Sequence, residues 1–175
     1  TLGVLYLLES KETVSSVADL AGRTVYLPGK GTTPDYALQY LLEENGVEIG
    51  EVDLQYKSEA AEVISALSEE PDALGLLPQP AATTACMQQK DLRIALDLTE
   101  EWDKVTMDSS LVTGVTAVRR EFLEQNESAV QAFVKDHMES AQFANENVEE
   151  AAELVAALEI VPKASVAAKA IPYCN

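Results

Sequence analysis

Two hydrophobic periodicities take turns along the first two-thirds of the chain, and no other feature restricts the fold as strongly. Arg23 to Leu27 is a short β-rich run closed by Pro28-Gly29. Pro34 to Asn45 then places Ala37, Leu38, Leu41 and Leu42 at helical spacing and stops at Gly46. Glu51 to Lys57 alternates, with Val52, Leu54 and Tyr56 on one face. Glu59 to Ser68 returns to helical spacing through Val63, Ile64 and Leu67, and Ser58 is placed to cap it. Ala73 to Leu77 is apolar without alternation, the pattern of a strand buried on both faces. Ala81 to Gln89 follows Pro80, a residue favoured at a first helical position, and Leu92 to Leu98 alternates again. This order, strand and helix in turn, is that of a sheet with helical crossovers. It predicts a three-layer α/β/α lobe from about Ser10 to Ser110 with a mostly parallel sheet.

Beyond the lobe the pattern changes. Leu111 to Val118 reads as a longer strand, and helices follow over about Glu127 to Asn145 and Val148 to Leu158, with a shorter one after Pro162. Asn126 and Asn147 stand as N-caps, and Glu150 makes a capping-box arrangement with Asn147. The helical stripes (Val130, Phe133, Val134 and Met138; then Ala151, Ala152 and Val155) need a surface to cover. That surface is expected to be the return strand or a partner chain, so these helices are not expected to form a domain of their own.

Two segments carry the chemistry. In Tyr26-Leu27-Pro28-Gly29-Lys30-Gly31-Thr32-Thr33-Pro34 a strand runs through a glycine turn into a helix start. Unpaired amides and the helix macrodipole favour an anionic or polar group there, held by Gly31, Thr32 and Thr33; alternatively Thr33 only caps the helix. No Walker pattern follows, so a nucleoside triphosphate site is not expected. In Leu76-Leu77-Pro78-Gln79-Pro80 a buried strand delivers Gln79 to the carboxyl edge of the sheet, where α/β proteins bind ligands; alternatively Gln79 is solvated in a proline-rich turn. Ser58 completes the candidate ligand set. Trp102 is either a packing residue or an exposed lid, and His137 is a boundary residue of its helix.

Charge and composition exclude several functions. The 175 residues carry 12 basic and 30 acidic side chains, a net charge of −18, which argues against nucleic-acid binding. No apolar run reaches the ~18–20 residues of a membrane span. One histidine and two distant cysteines, Cys86 and Cys174, give no metal, cofactor or redox motif. Whether the two thiols are bonded is open. The chain starts at Thr1 and stops at Asn175 in mid-pattern, as a piece of a longer protein would.

Several motifs occur together in a fixed order. Asp19-Leu20-Ala21-Gly22-Arg23-Thr24-Val25 precedes the Gly31-Thr32-Thr33 helix start. Ala73-Leu74-Gly75-Leu76-Leu77-Pro78-Gln79-Pro80 comes next, and Val118-Arg119-Arg120-Glu121-Phe122-Leu123 stands downstream. In this order the chain resembles the substrate-binding proteins of ABC importers in the nitrate, sulfonate, taurine and thiamine-precursor group. The resemblance implies a type II periplasmic-binding-protein fold, with residues 1–9 as a first crossing strand, 10–110 as the ligand-binding lobe and 111–175 as a return strand plus helices of a partly missing first lobe. Many relatives have Glu in place of Gln79 and an aromatic residue in place of Ala81, which affects the ligand charge preferred. The implied function is capture of a small polar or anionic molecule and its delivery to a membrane permease. The implied location is periplasmic or extracellular, with a lipid anchor outside this stretch, and no enzymatic activity is expected. Competing readings are the effector-sensing domain of a transcription regulator, which the acidic charge disfavours, and a pyrimidine-forming enzyme, which the lone histidine disfavours.

Overall fold

The computed structural model describes residues 2–174; the ends of the expected segments 1–9 and 111–175, Thr1 and Asn175, lie outside the described residues. The chain divides into two compact units, one reaching Thr113 and the other formed by Gly114–Tyr173.

The first unit is built on a five-stranded sheet: β1 (Leu5–Glu9), β2 (Thr24–Pro28), β3 (Asp53–Lys57), β4 (Leu74–Pro78) and β5 (Arg93–Asp97), in the spatial order β3-β2-β4-β1-β5. β2 pairs in parallel with β3 and β4. β1 is antiparallel to both β4 and β5, with Leu7 opposite Leu76 on one side and Leu96 on the other. The four runs expected as strands therefore point the same way, and β1 is wedged among them in the opposite sense.

Alternation along the strands sends side chains to two apolar layers. Leu5, Leu7, Val25, Leu27, Leu74, Leu76 and Leu96 meet α1 (Thr33–Glu44) through Ala37, Leu38, Leu41 and Leu42. Tyr6, Leu8, Tyr26 and Leu77 meet α2 (Ala60–Glu69) through Val63, Ala66 and Leu67, and α3 (Ala81–Gln88) through Ala82 and Ala85. Each such leucine contributes about 1.5–3 kcal/mol by leaving water. Gly75 is what lets α2 lie close on β4, because a Cβ there would come within 2.5 Å of Leu67 Cδ1. The α/β/α lobe is thus present.

Local details differ from the sequence reading. A helix not expected, α4 (Leu98–Val105), starts directly after β5, because Asp97 Oδ1 accepts the Thr99 N–H at 2.8 Å and caps it. Its Trp102 packs against Tyr40 with ring centroids 4.6 Å apart, a packing role and no lid. Ser58 does not cap α2; Glu59 holds the cap position, and no side chain bonds there. The expected strand Leu111 to Val118 forms no strand. Its β-branched residues have the propensity, but a strand exists only when paired, and this segment pairs with none of the five strands.

The second unit contains α5 (Arg120–Gln125), α6 (Glu127–Glu146), α7 (Val148–Ala157) and α8 (Ala164–Ala170). Asn126 and Asn147 occupy the cap positions, yet neither side chain caps forward and no capping box forms with Glu150. Each Nδ2 instead donates to the carbonyl four residues back, Phe122 at 3.1 Å and Phe143 at 3.2 Å. Each of these carbonyls also accepts the backbone N–H of the same asparagine at 2.9 Å, so the side chain adds a second bond at the carboxyl end of the preceding helix. Ala152 of α7, Val161 and Ala167 of α8 make a small core, whereas none of the 20 residues of α6 is buried. The α7 stripe is covered by α8 and Val161 and not by the expected return strand or partner chain, so these helices make a compact unit of their own; the α6 stripe, with Met138 67 % exposed, has no cover among the described residues.

Candidate functional site

β2 ends at Pro28, and the chain turns through Gly29, Lys30 and Gly31 before α1 begins at Thr33. Gly29 and Gly31 have φ of +68° and +77°, the left-handed region open to glycine, and a Cβ on Gly29 would meet Thr32 Cγ2 at 2.9 Å. Gly29 N–H donates to the Lys57 carbonyl at 3.0 Å, tying the turn to the end of β3. The Thr32 hydroxyl donates to the Gly29 carbonyl at 2.5 Å, so it points back into the turn and not forward as a cap. The cap position is held by Thr32, not Thr33. Thr33 is exposed, and its hydroxyl forms no hydrogen bond among the described residues.

The Gly31 amide is already used. It donates to Asp35 Oδ2 at 2.8 Å, while Asp35 Oδ1 accepts from Gln39 Nε2 at 2.5 Å and from the Tyr56 hydroxyl at 2.8 Å. Asp35 is only 2 % exposed. Burial pushes its carboxyl upward, but the Gly31, Gln39 and Tyr56 donors and the nearby Lys30 charge outweigh that and hold it below the usual carboxylate range. Burial and the bond to Asp35 raise the Tyr56 phenol in turn. Lys30 Nζ stands 5.3 Å from the centre of the Tyr56 ring, a cation–π distance.

Gln79 follows β4. Its N–H donates to the Val4 carbonyl at 2.8 Å, and its Oε1 accepts from the Thr83 N–H at 3.2 Å and the Thr83 hydroxyl at 2.8 Å. The Thr83 N–H can only donate, which fixes the orientation of the amide group. Nε2 is left buried with no partner among the described residues, on a residue only 9 % exposed. Gln79 is thus no solvated turn residue. Ser58 follows β3, is exposed, and donates its N–H to Glu62 Oε2 at 2.8 Å.

Since β2 lies between β3 and β4, the turns carrying Gly31, Ser58 and Gln79 are neighbours along the carboxyl edge of the sheet. No hydrogen bond joins Gln79 to the Gly31 turn or to Ser58 among the described residues. Sequence reasoning missed Asp35, Tyr56 and Thr83. The signal was available as spacing, since Gly31 to Asp35 and Gln79 to Thr83 are both four apart at helix starts. Among the described residues no cluster of His, Cys, Asp and Glu is arranged for a metal ion. His137 is exposed, 6.0 Å from Phe133 between ring centroids, and both cysteines are free. No helix among the described residues is long and apolar enough to cross a membrane.

The sequence profile described as menaquinone biosynthesis matches residues 6–169. The chain belongs to the menaquinone biosynthesis family. The expectation of a protein without enzymatic activity rested on the resemblance to binding proteins and on the lone histidine. Membership in a biosynthetic family points to an enzyme and overturns it. No curated protein matches the chain in sequence.

Solved structures give a different set of relatives for this menaquinone-biosynthesis-family chain. The periplasmic aliphatic sulphonate binding protein SsuA from Escherichia coli is similar at a TM-score of 0.76 and 19 % identity, over 99 % of this chain and 56 % of that one. An ABC transporter protein from Parabacteroides distasonis has a TM-score of 0.66 and 23 % identity over 99 % of this chain and 56 % of that one. The alkanesulfonate-binding protein SsuA from Xanthomonas axonopodis pv. citri, bound to MOPS, has 0.62 and 16 % over 98 % and 55 %. The chain spans just over half the length of these structures. At such identities the likeness shows the fold, which is that of SsuA-like periplasmic binding proteins.

Proposed function

We propose that this chain binds a small polar or anionic molecule at the carboxyl edge of its sheet, beside the Gly31–Thr33 turn and Gln79, as the solute-binding part of an import system. The observation that carries the reading is the unpartnered Nε2 of Gln79. A buried donor left without an acceptor costs about 1–3 kcal/mol, and a ligand oxygen placed against it would recover that cost. Thr33 offers a second free donor, a hydroxyl, at the same edge, and Lys30 a positive charge in a chain whose net charge is −18. Ser58 is the weakest member of the set. The fold shared with sulfonate-binding proteins supports the same reading, with delivery to a membrane permease and a periplasmic or extracellular location as its consequences.

A second reading comes from the family itself: the molecule bound at this edge is the substrate of a biosynthetic step. One experiment addresses both. The protein is screened by thermal shift against sulfonates (MOPS and taurine), nitrate, pyrimidines and amino acids, and bound compounds are recovered for mass spectrometry. A ligand at a hundred times its Kd raises stability by about 2.7 kcal/mol. Recovery of the compound unchanged fits solute capture, and recovery of a product fits the enzyme. Gln79→Glu keeps the acceptor facing Thr83 but replaces the Nε2 donor by an acceptor oxygen, so it should weaken an anionic ligand at least about tenfold. A panel without any stabilising compound, or binding indifferent to Gln79→Glu, refutes the site.

A further inference from the structure

We infer that Asp35 is a positioning residue for this ligand site, acting through the shape it imposes on the Gly29–Thr33 turn. The inference rests on the ligand-binding reading above. Thr33 and the turn backbone can face a ligand only if the turn is held in one form, and beyond the Gly29 N–H bond to the Lys57 carbonyl two interactions hold it. From inside the turn the Thr32 hydroxyl bonds the Gly29 carbonyl at 2.5 Å. From below, the Asp35 carboxylate bonds the Gly31 amide at 2.8 Å and the Tyr56 hydroxyl of β3 at 2.8 Å. Asp35 therefore links the β2 turn, the first turn of α1 and the end of β3 through one buried side chain.

The arrangement needs both carboxylate oxygens. Oδ1 takes two donors, Gln39 and Tyr56, and Oδ2 takes the Gly31 amide. An asparagine of the same shape has a single acceptor oxygen. With that oxygen kept toward Gln39 and Tyr56, its NH2 group would face the Gly31 N–H, donor against donor. The turn would then be released at Gly31 while the helix and β3 stayed joined. Gly29 and Gly31, both in the left-handed region, leave the freed turn with many other conformations. Fixing one of them again would fall to the ligand, which lowers its affinity.

A purely structural role predicts something else, namely lost stability without lost affinity. The test measures Kd by calorimetry for MOPS, taurine and nitrate, together with melting temperature, on four proteins: unmodified, Asp35→Asn, Tyr56→Phe and Leu92→Ala. Leu92, buried just before β5 and away from the turn, serves as the destabilised control. Asp35→Asn is expected to weaken binding at least about tenfold. Tyr56→Phe, which leaves the Gly31 bond in place, is expected to weaken it less than about threefold. Leu92→Ala is expected to lower the melting temperature with affinity unchanged. In the unliganded protein the Gly31 amide proton should exchange slowly, and Asp35→Asn should abolish that protection. Unmodified protein that binds while Asp35→Asn binds equally well overturns the positioning role and leaves the site standing. An equal loss in Tyr56→Phe and Asp35→Asn overturns it too, because the Gly31 link would not be what matters. Unmodified protein that binds none of the three compounds removes the site for these anions, and the positioning role with it.

Discussion

The two compact units solve the same problem with different margins. In the sheet unit every residue of β1 is buried, and apolar layers cover both faces of the sheet. In the helical unit α6 runs for 20 residues without one buried side chain, and the core reduces to a few small residues of α7 and α8 with Val161. The difference follows from where each element finds its hydrogen bonds. A strand completes its backbone bonds only with neighbours, so β1 exists because β4 and β5 flank it. A helix closes its bonds within itself and can persist with an apolar face in water, although packing normally supplies most of its stability.

The comparison breaks if core substitutions cost the same in both units. The largest expected effect is in the sheet: Leu7→Ala, fully buried between the two flanking strands, should lose about 2–5 kcal/mol in urea unfolding. Next comes Gly75→Val, which drives a side chain into Leu67 and should lose about 1–3 kcal/mol by the same measurement. Asp35 sharpens the contrast through pH. Its carboxyl is held below the ordinary value in the folded chain, so the stability it adds is fully present above the unfolded value of about 3.9 and is lost as pH falls through the lower native value. Asp35→Asn should therefore cost about 1 kcal/mol at neutral pH and flatten the acid side of the stability profile. Glu9 acts in the same sense: burial opposes its ionisation, but Thr13, Val14 and Arg93 together hold it low, so some acid sensitivity survives the Asp35 change. The smallest effect should be on α6, where Met138→Ser is expected to stay within about 0.5 kcal/mol. A loss of 2 kcal/mol or more at Met138 would mean that its face is covered in solution.

Much of this was legible in the residues. The β2 to β5 runs and the helices between them follow from local periodicity, since each face is set by which side chains must leave water. The Gly29–Thr33 turn was marked by its glycines, and Gln79 by the strand that ends before it. What failed did so where one residue type can serve two local roles or where the outcome depended on distant partners. Leu111 to Val118 has strand propensity but joins no strand of the sheet. Asn126 and Asn147 look like caps but serve the preceding helices. The Gly31 amide looked available for an anion, yet Asp35 already holds it, and the Gln39 and Tyr56 donors, the latter reaching over from β3, help to hold that buried carboxylate ionised.

By itself, then, the sequence determined the types of β2 to β5 and of the helices between them, the two-faced burial of β4 and the positions where these strands turn into helices, because these depend on spacing within a dozen residues. The tertiary structure alone decided that β1 enters the sheet in reverse between β4 and β5, that Asp35 joins three elements, and that the Gln79 Nε2 is left buried without an acceptor. Each of these is a relation between groups far apart along the chain. No local pattern encodes them, because the energy of a pairing or of a buried polar atom is set by whatever the fold brings beside it.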